Sequence, residues 1–292
     1  MKELIIALLI ITPSIAFSQV TDDFSDGDFT TNPVWSGDVA EFEIDANRLN
    51  SKGPSTTSKL YLSTPSTVTN NTTWKFNVDM QFAPSASNRV RIYLMSDQAN
   101  LEGSLIGYFI QVGESSNDEI RFFRQDANGT ETELFVGSSS LTGNVNIGYQ
   151  ITRDTSGNWQ VNADVAGGTT YTSEGASFLD NTYTTTTHFG FVCSHSSTRK
   201  DLFFFDDISI TAAATAIAVS SLSVESNTSL RVKFNQNVEQ TSAELSDNYS
   251  INNSINVTSA IRDGINLDEV VLTVSTLTTN DYQLTTSNVK DA

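Results

Sequence analysis

Short runs in which apolar and polar residues alternate recur along this chain, and this alternation constrains the fold more than any other feature. Trp74, Phe76, Val78, Met80 and Phe82 share one parity, with polar residues between them. Side chains of one parity lie on one face of a β-strand, so each run predicts a strand with an apolar and a polar face. No window outside the N-terminus keeps a helical period for more than a turn or two. The pattern predicts an all-β, antiparallel two-sheet sandwich.

A hairpin and a core follow from the same parity argument. The run 145–151 leads through the turn residues 154–158 into the run 159–165, and both strands carry one apolar face. We expect the core of the first domain to contain the apolar-parity residues Trp74, Phe76, Val78, Ile92, Ile110, Ile147, Trp159 and Phe191.

The chain divides into two blocks at a stretch of small residues. Residues 211–216 read Thr-Ala-Ala-Ala-Thr-Ala, which is typical of a linker or hinge. We therefore expect one sandwich over residues 21–211, a linker over 212–217, and a second domain over 218–292. About 75 residues of short strands suit a small sandwich of immunoglobulin size.

The N-terminus has the pattern of an export signal. Lys2 precedes an apolar run over residues 4–11, and the small residues Ala16 and Ser18 fit a cleavage site. We expect residues 1–18 to be a signal peptide and the mature protein to be secreted or attached to the outer cell surface. The apolar run is shorter than the ~20 residues of a membrane span, so no membrane span is expected. Cys193 is the only cysteine and shares parity with apolar neighbours, so we expect a buried thiol rather than a disulfide.

The charge balance excludes one large class of partner. Asp and Glu number 34 against 16 Lys and Arg, which gives a formal net charge of −18. An acidic surface repels phosphate backbones and anionic membranes, so nucleic acid is not an expected partner.

Several segments carry a resemblance to known families. The opening DDFSDGDFTTNPVWSGD, the central RIYLMSD, GYFIQVGE and EIRFFRQD, and the closing RKDLFFFDDISI resemble the concanavalin A-like lectin/glucanase (laminin G-like) domain of large secreted proteins of Bacteroidetes-type bacteria. LRVKFNQNVE, NYSINNSINVTSA, VVLTVS and YQLTTSNVKDA resemble an SbsA-type bacterial Ig-like domain. The resemblance implies a jelly-roll sandwich followed by an Ig-like domain, and it implies a surface role rather than a catalytic one. In the Ig-like family the final run leads into one more strand, so we expect a truncated second domain and missing C-terminal modules.

The jelly-roll likeness makes a glycosidase the sharpest catalytic hypothesis. Such enzymes need two nearby carboxyl groups, and the segment from Glu41 to Asp45 superficially resembles a glucanase motif. Arg48 stands where the second Glu of that motif belongs, so we read the segment as a solvated edge strand. His188 and His195 have opposite parity and lack further nearby ligands, so a zinc or catalytic histidine is not expected.

Acidic residues at the two ends of the first domain form a candidate calcium site. First and last strands of a sandwich commonly pair, and oxygen ligands suit Ca²⁺. The alternative is that these residues cap turns and keep the surface soluble. The candidate structural calcium ligands are Asp22, Asp23, Asp26, Asp28, Asp206 and Asp207.

The parity opposite the core provides a candidate binding face on three successive strands. Aromatic rings stack on sugars, and Arg or Gln side chains hydrogen-bond hydroxyl groups. The alternative is that loops cover this face and its aromatic residues form a second small core. The candidate ligand-binding residues are Arg91, Tyr93, Phe109, Gln111, Arg121 and Phe123.

The sequence thus favours a non-catalytic surface protein whose sandwich binds a glycan or a surface protein, with an Ig-like spacer behind it. Two alternatives stay open: a degenerate or unusual glycoside hydrolase, and a structural adhesin stalk without a small ligand.

Overall fold

The structure is a computed structural model that describes residues 16–114, 118–213, 217–278 and 281–292. The chain forms two compact units, one from the described residues up to 213 and one from those after 216. Of the predicted signal peptide, residues 1–15 lie outside the described residues, as do residues 214–216 of the predicted linker. No helix in the described part of the chain is both long enough and apolar enough to cross a membrane.

The larger unit is an antiparallel β-sandwich, as the alternating pattern predicted. Its strands are β1 (Ala16–Asp22), β2 (Ser36–Gly37), β3 (Phe42–Asp45), β4 (Arg48–Ser51), β5 (Ser58–Pro65), β6 (Thr72–Met80), β7 (Arg89–Ser96), β8 (Gly107–Val112), β9 (Arg121–Gln125), β10 (Glu131–Val136), β11 (Val145–Arg153), β12 (Asn158–Asp164), β13 (Thr172–Ser173), β14 (Phe178–Leu179), β15 (His188–His195) and β16 (Phe203–Ala213).

Two sheets make up this sandwich. The nine-stranded sheet has the order β13-β12-β11-β6-β16-β4-β3, with β1 paired to β16 and β14 paired to β12. The seven-stranded sheet has the order β10-β9-β8-β7-β15-β5-β2. The pairing of β1 with β16 confirms that the first and last strands of the domain are neighbours.

The predicted hairpin forms between β11 and β12. Ile151 pairs with Val161 in its register. Asp154 closes the turn, because its carboxylate accepts the backbone N–H groups of Ser156 and Asn158 at 2.8 and 2.9 Å. Gly157 takes a positive φ of 87°, which a residue without a Cβ adopts readily.

The core lies between the two sheets and is rich in aromatic rings. All eight residues predicted for it are at most 2% exposed, which confirms the parity argument. Trp74 and Trp159 stack with ring centroids 5.4 Å apart, and Phe191 stacks on Phe205 at 4.0 Å. Cys193 is a free thiol in this core, and burial raises the pKa of that thiol.

The smaller unit is also built from antiparallel strands. They are β17 (Val219–Ser226), β18 (Ser229–Phe234), β19 (Tyr249–Ile251), β20 (Val257–Arg262), β21 (Glu269–Val274) and β22 (Leu284–Thr286), with a one-turn helix α1 (Gln240–Ala243). A four-stranded sheet has the order β17-β18-β21-β20, and β19 pairs with β22.

The last residues of the smaller unit pack against an earlier segment. Asp291 forms a β-bridge with Val238, and the Glu239 N–H donates to the Lys290 carbonyl at 2.8 Å. Val289 is 6% exposed and belongs to the unit's core.

Candidate functional site

The candidate binding face is the surface of the seven-stranded sheet that points away from the core. Arg91 on β7 pairs with Gln111 on β8, which pairs with Arg121 on β9. Tyr93, Phe109 and Phe123 form a parallel row on the same three strands, in that order. Directly paired residues share a face, so the register gathers all six predicted residues on one surface.

The exposure of these side chains differs from the expectation. Tyr93 and Phe109 are 2% and 0% exposed, so the prediction of an open aromatic strip is wrong for these two rings. The segment between β7 and β8 folds over them and inserts Leu101 and Leu105, which form a second small core with them and with Val192. This is the alternative in which a loop covers the face.

A glycine opposite Tyr93 makes room for the covering segment. Gly190 pairs with Tyr93, and a Cβ at Gly190 would lie 2.8 Å from the Leu101 side chain and 2.2 Å from the Leu62 carbonyl oxygen. Only a residue without a side chain fits there. Leu101, Leu105 and Gly190 are the sequence signals that could have indicated a covered face.

Arg91 lies across the aromatic row. Its guanidinium carbon is 4.6 Å from the Phe109 ring centroid, and Phe109 stacks on Phe123 at 5.1 Å. Two guanidinium nitrogens donate to the two carboxylate oxygens of Glu131 at 2.6 and 2.9 Å, and Nε donates to the Gln111 side-chain oxygen at 2.6 Å. Such a bidentate pair over a ring fixes the guanidinium rigidly.

Beside Arg91 the surface opens into a cleft of about 230 Å³. Tyr93 lines it, and the Tyr93 hydroxyl donates to the Gln125 side-chain oxygen at 2.7 Å. Burial raises the pKa of Tyr93, so this hydroxyl keeps the proton that it donates to Gln125, and its oxygen can accept a hydrogen bond. The other polar residues that line the cleft are Lys59, Arg89, Arg91, Glu102, Glu131 and Ser194.

Only part of the predicted set therefore faces the cleft. Arg91 and Tyr93 line it, and Phe109 and Gln111 support them from the buried layer. Arg121 does not line it, and its guanidinium forms ion pairs with Glu119 and Glu133 at 2.7 and 2.6 Å.

Sequence reasoning missed several residues of the cleft because they come from distant segments. Lys59, Arg89, Gln125 and Ser194 lie on four different strands, and only the strand register brings them together. Lys59, Arg89 and Ser194 do share the outward parity of their strands, which is the one signal the sequence offered.

The aspartates of the predicted calcium site are used by their own turns. Asp22 is 7% exposed and accepts the Phe24 N–H at 3.0 Å and the Trp35 indole N–H at 2.8 Å. The Asp23 carboxylate accepts the N–H and hydroxyl of Ser25, two residues ahead.

Asp26 and Asp28 also accept hydrogen bonds from the residue two positions ahead. Asp26 accepts the Asp28 N–H at 3.0 Å, and Asp28 accepts the Thr30 N–H at 2.8 Å and also the Thr31 hydroxyl. Carboxylates of Asp residues commonly cap the backbone two residues ahead in this way. Hydrogen bonds from Thr31 and Thr30 hold the pKa of Asp28 well below its usual range.

The two aspartates of β16 complete the set. Burial raises the pKa of Asp206, and the nearby negative charges of Asp207 and Asp23 raise it further. In the described ranges, no three His, Cys, Asp or Glu side chains are placed to hold a metal ion. The four aspartates at the start of the domain thus cap turns, as the alternative interpretation has it, and calcium binding by the six aspartates stays a prediction.

The glucanase-like segment and the histidines occupy ordinary structural positions. Glu43 lies on the edge strand β3, is partly exposed and pairs with Lys52 at 2.6 Å. His195 is buried, and its Nδ1 lies 3.2 Å from the Ser196 carbonyl oxygen. Burial lowers the pKa of His188, which favours its neutral form.

A larger depression of about 500 Å³ lies near the start of β6 and the β11–β12 turn. Asn71, Thr152 and Gln160 line it. The only ring in its lining belongs to Trp159, which is 0% exposed and packed in the core. Arg153 and Asp154 also line this depression, so charge does not separate it from the cleft. We regard the cleft of the seven-stranded sheet as the candidate site because Arg91 and Tyr93, two of the predicted binding residues, line it.

Comparisons with known proteins give no family. No protein-family model matches this chain, and no curated protein matches it. Solved structures do match, over about two thirds of the chain. A legume lectin-like domain from Entamoeba histolytica is 8% identical, covers 68% of this chain and 97% of its own, and has a TM-score of 0.44.

Two further solved structures give similar values. The VIP36 exoplasmic/lumenal domain in its Ca²⁺/Man2-bound form is 9% identical, covers 68% of this chain and 88% of its own, and has a TM-score of 0.47. A Bacillus subtilis protein of unknown function with a galectin-like fold is 8% identical, covers 70% of this chain and 100% of its own, and has a TM-score of 0.48. Similarity at this level carries no argument about what this chain binds.

Proposed function

We propose that the larger unit binds a carbohydrate in the cleft of the seven-stranded sheet. The observation that carries this proposal is the convergence of groups from different strands on one small concavity. Arg91 and Glu131 supply donors and acceptors of fixed geometry, and Tyr93 and Gln125 supply a linked hydroxyl and amide. Sugar hydroxyls donate and accept at once, so a site with both kinds of group suits them.

The size of the cleft supports a small ligand. Pockets for drug-sized ligands enclose about 300–1,000 Å³, and this cleft encloses about 230 Å³. We therefore propose that one or two sugar rings of a longer glycan enter it.

In this proposal the protein is exported, is attached to or released from the cell surface, and is non-catalytic. The N-terminal pattern around Lys2 and residues 4–11 supports export. The smaller unit would serve as an Ig-like spacer. A glycoside hydrolase and a plain adhesin stalk are the competing functions, and the following experiment separates all three.

Ser194→Trp tests the proposed site directly. Ser194 lines the cleft between its neighbours on β5 and β7, so an indole at this position would fill the cavity. Ser173→Trp on the exposed edge strand β13 is the matched control, because it adds the same ring to the other sheet.

The measurement is binding to a glycan array, combined with a reducing-sugar assay on the bound glycans. The proposal predicts binding by the parent chain and Ser173→Trp, loss of binding in Ser194→Trp, and no release of reducing ends. Release of reducing ends would favour the hydrolase, and absence of binding to every glycan would favour the stalk.

A further inference from the structure

Two cations of the cleft stand on either side of one serine. Ser194 on β15 pairs with Lys59 on β5 and with Arg89 on β7. Neighbouring strands lie about 4.8 Å apart, so the backbones of Lys59 and Arg89 are about 10 Å apart on the same face. Both side chains line the cleft, and both are long enough to reach one ligand group between them.

These two cations differ from Arg91, their neighbour in the cleft. Glu131 binds the Arg91 guanidinium in a bidentate pair. Within the described part of the chain, neither Arg89 nor Lys59 has a carboxylate within 4 Å. The Nε of Arg89 is buried, and no described group accepts its proton. A buried donor without an acceptor is unfavourable unless a ligand or water completes it.

Three cations, Lys59, Arg89 and Arg91, line the cleft together with two acids. Glu102 and Glu131 are the acids that line it, and Glu131 is occupied by Arg91. Burial and the charge of Arg91 lower the pKa of Arg89, while the nearby charges of Glu114 and Glu131 act in the opposite direction. Lys59 and Arg89 are thus two neighbouring cations without an ion pair among the described residues, in a chain whose net charge is −18.

We propose that the cleft selects an acidic sugar and that Arg89 and Lys59 bind its carboxylate or sulfate group across Ser194. This inference rests on the proposed carbohydrate-binding function and adds the charge of the ligand to it. An anion between the two cations would offset their mutual repulsion and accept hydrogen bonds from the Lys59 ammonium group and the Arg89 guanidinium group. The net negative charge of the protein repels polyanions. Binding of an acidic glycan would therefore be due to Lys59 and Arg89 and not to long-range attraction by the protein's net charge.

The test uses an array in which each carboxylated or sulfated oligosaccharide stands beside its carboxyl-reduced or desulfated form. The inference predicts that the full chain binds the acidic member of at least one pair about tenfold or more tightly than its neutral form, the effect of one charge-assisted hydrogen bond. The two kinds of acidic glycan distinguish a carboxylate ligand from a sulfate ligand.

The variants Arg89→Gln and Lys59→Gln assign the preference to residues. Each should lower affinity for the acidic glycan by about tenfold and affect the neutral form less, so that the ratio of the two affinities falls. Lys52→Gln is the charge-matched control, since Lys52 is exposed, follows β4 of the other sheet, and should keep full binding. Arg89→Lys keeps the charge and should retain part of the preference.

The outcomes separate this inference from the proposed function. Equal binding of acidic and neutral forms, abolished by Ser194→Trp, would overturn the acidic preference and leave carbohydrate binding in place. An acidic preference unchanged in Arg89→Gln and Lys59→Gln would also overturn the inference. No binding to any glycan would overturn both.

Discussion

The acidic turn at residues 22–28 and the cleft of the seven-stranded sheet show opposite outcomes for two sets of polar residues. In the turn, the carboxylates accept hydrogen bonds from N–H and hydroxyl groups of residues that are close in sequence. In the cleft, Lys59, Arg89 and Ser194 come from distant segments and are brought together only by register. Polar residues that are close in sequence thus tend to cap their own turn. Strand pairing, by contrast, can bring together polar side chains that are still able to form hydrogen bonds with a ligand.

The largest expected effect is on the aromatic layer beneath the cleft. Tyr93 is 2% exposed, so Tyr93→Ala should destabilise the larger unit by about 3–5 kcal/mol, the usual result of deleting a buried ring. Denaturant unfolding of the chain measures this loss. Tyr93→Phe keeps the ring and removes only the hydroxyl that donates to Gln125, so it should cost about 0.5–1.5 kcal/mol. A fully stable Tyr93→Ala variant would show that the ring is not buried.

The next effect concerns the one buried carboxylate of the acidic turn. Asp22→Ala should cost about 2–4 kcal/mol, because the Trp35 indole N–H and the Phe24 N–H lose their acceptor. Asp26→Ala is the control, since Asp26 accepts only an exposed N–H from Asp28 and should have a much smaller effect. Equal losses in the two variants, measured by chemical unfolding, would contradict a structural role specific to Asp22.

The pH dependence distinguishes two carboxylates of the same turn. Burial raises the pKa of Asp22 above 3.8, so its protonated form is favoured in the folded state and its contribution falls as pH rises through the folded pKa. Hydrogen bonds lower the pKa of Asp28 below 3.8, so its contribution is present above that pH and is lost as pH falls.

Carboxyl NMR titration measures both groups directly. We expect Asp22 to titrate above 3.8 and Asp28 below it. The stability difference between the parent chain and Asp28→Ala should shrink as pH is lowered from 6 towards about 2. A titration in which the pKa values of Asp22 and Asp28 both lie above 3.8, or both below it, would contradict the opposite shifts expected for the two groups.

The smallest expected effect is that of a chelator. Because the aspartates of the turn cap their own backbone, EDTA should leave the melting temperature of the chain unchanged, and added calcium should not raise it. A calcium-dependent rise that Asp23→Asn or Asp207→Asn removes would restore the predicted metal site.

Strand parity predicted much of the fold and part of the site. Alternation placed Trp74 and Trp159 in the core and put Arg91 and Tyr93 on the opposite face. The covering of that face could not be predicted in the same way, because the path of the segment around Leu101 has no period. The role of Arg89 depends on the register of β5, β15 and β7, which parity alone does not fix.

The acidic residues show the other limit of sequence reasoning. The pairing of β1 with β16 was predicted, and it does bring Asp23 near Asp206. Carboxylates can cap a turn or bind a cation, and the sequence alone does not show which hydrogen-bond donors lie next to them in the folded chain. Here the donors are the residues two positions ahead.

The most direct test of the carbohydrate site is to map backbone amide NMR shifts while the chain is titrated with its best array glycan. We predict that the largest shifts fall on the cleft-lining residues Lys59, Arg89, Tyr93, Gln125 and Ser194. Shifts centred instead on Asn71, Thr152 and Gln160 of the nine-stranded sheet, or on the smaller unit, would contradict the assignment of the cleft as the binding site.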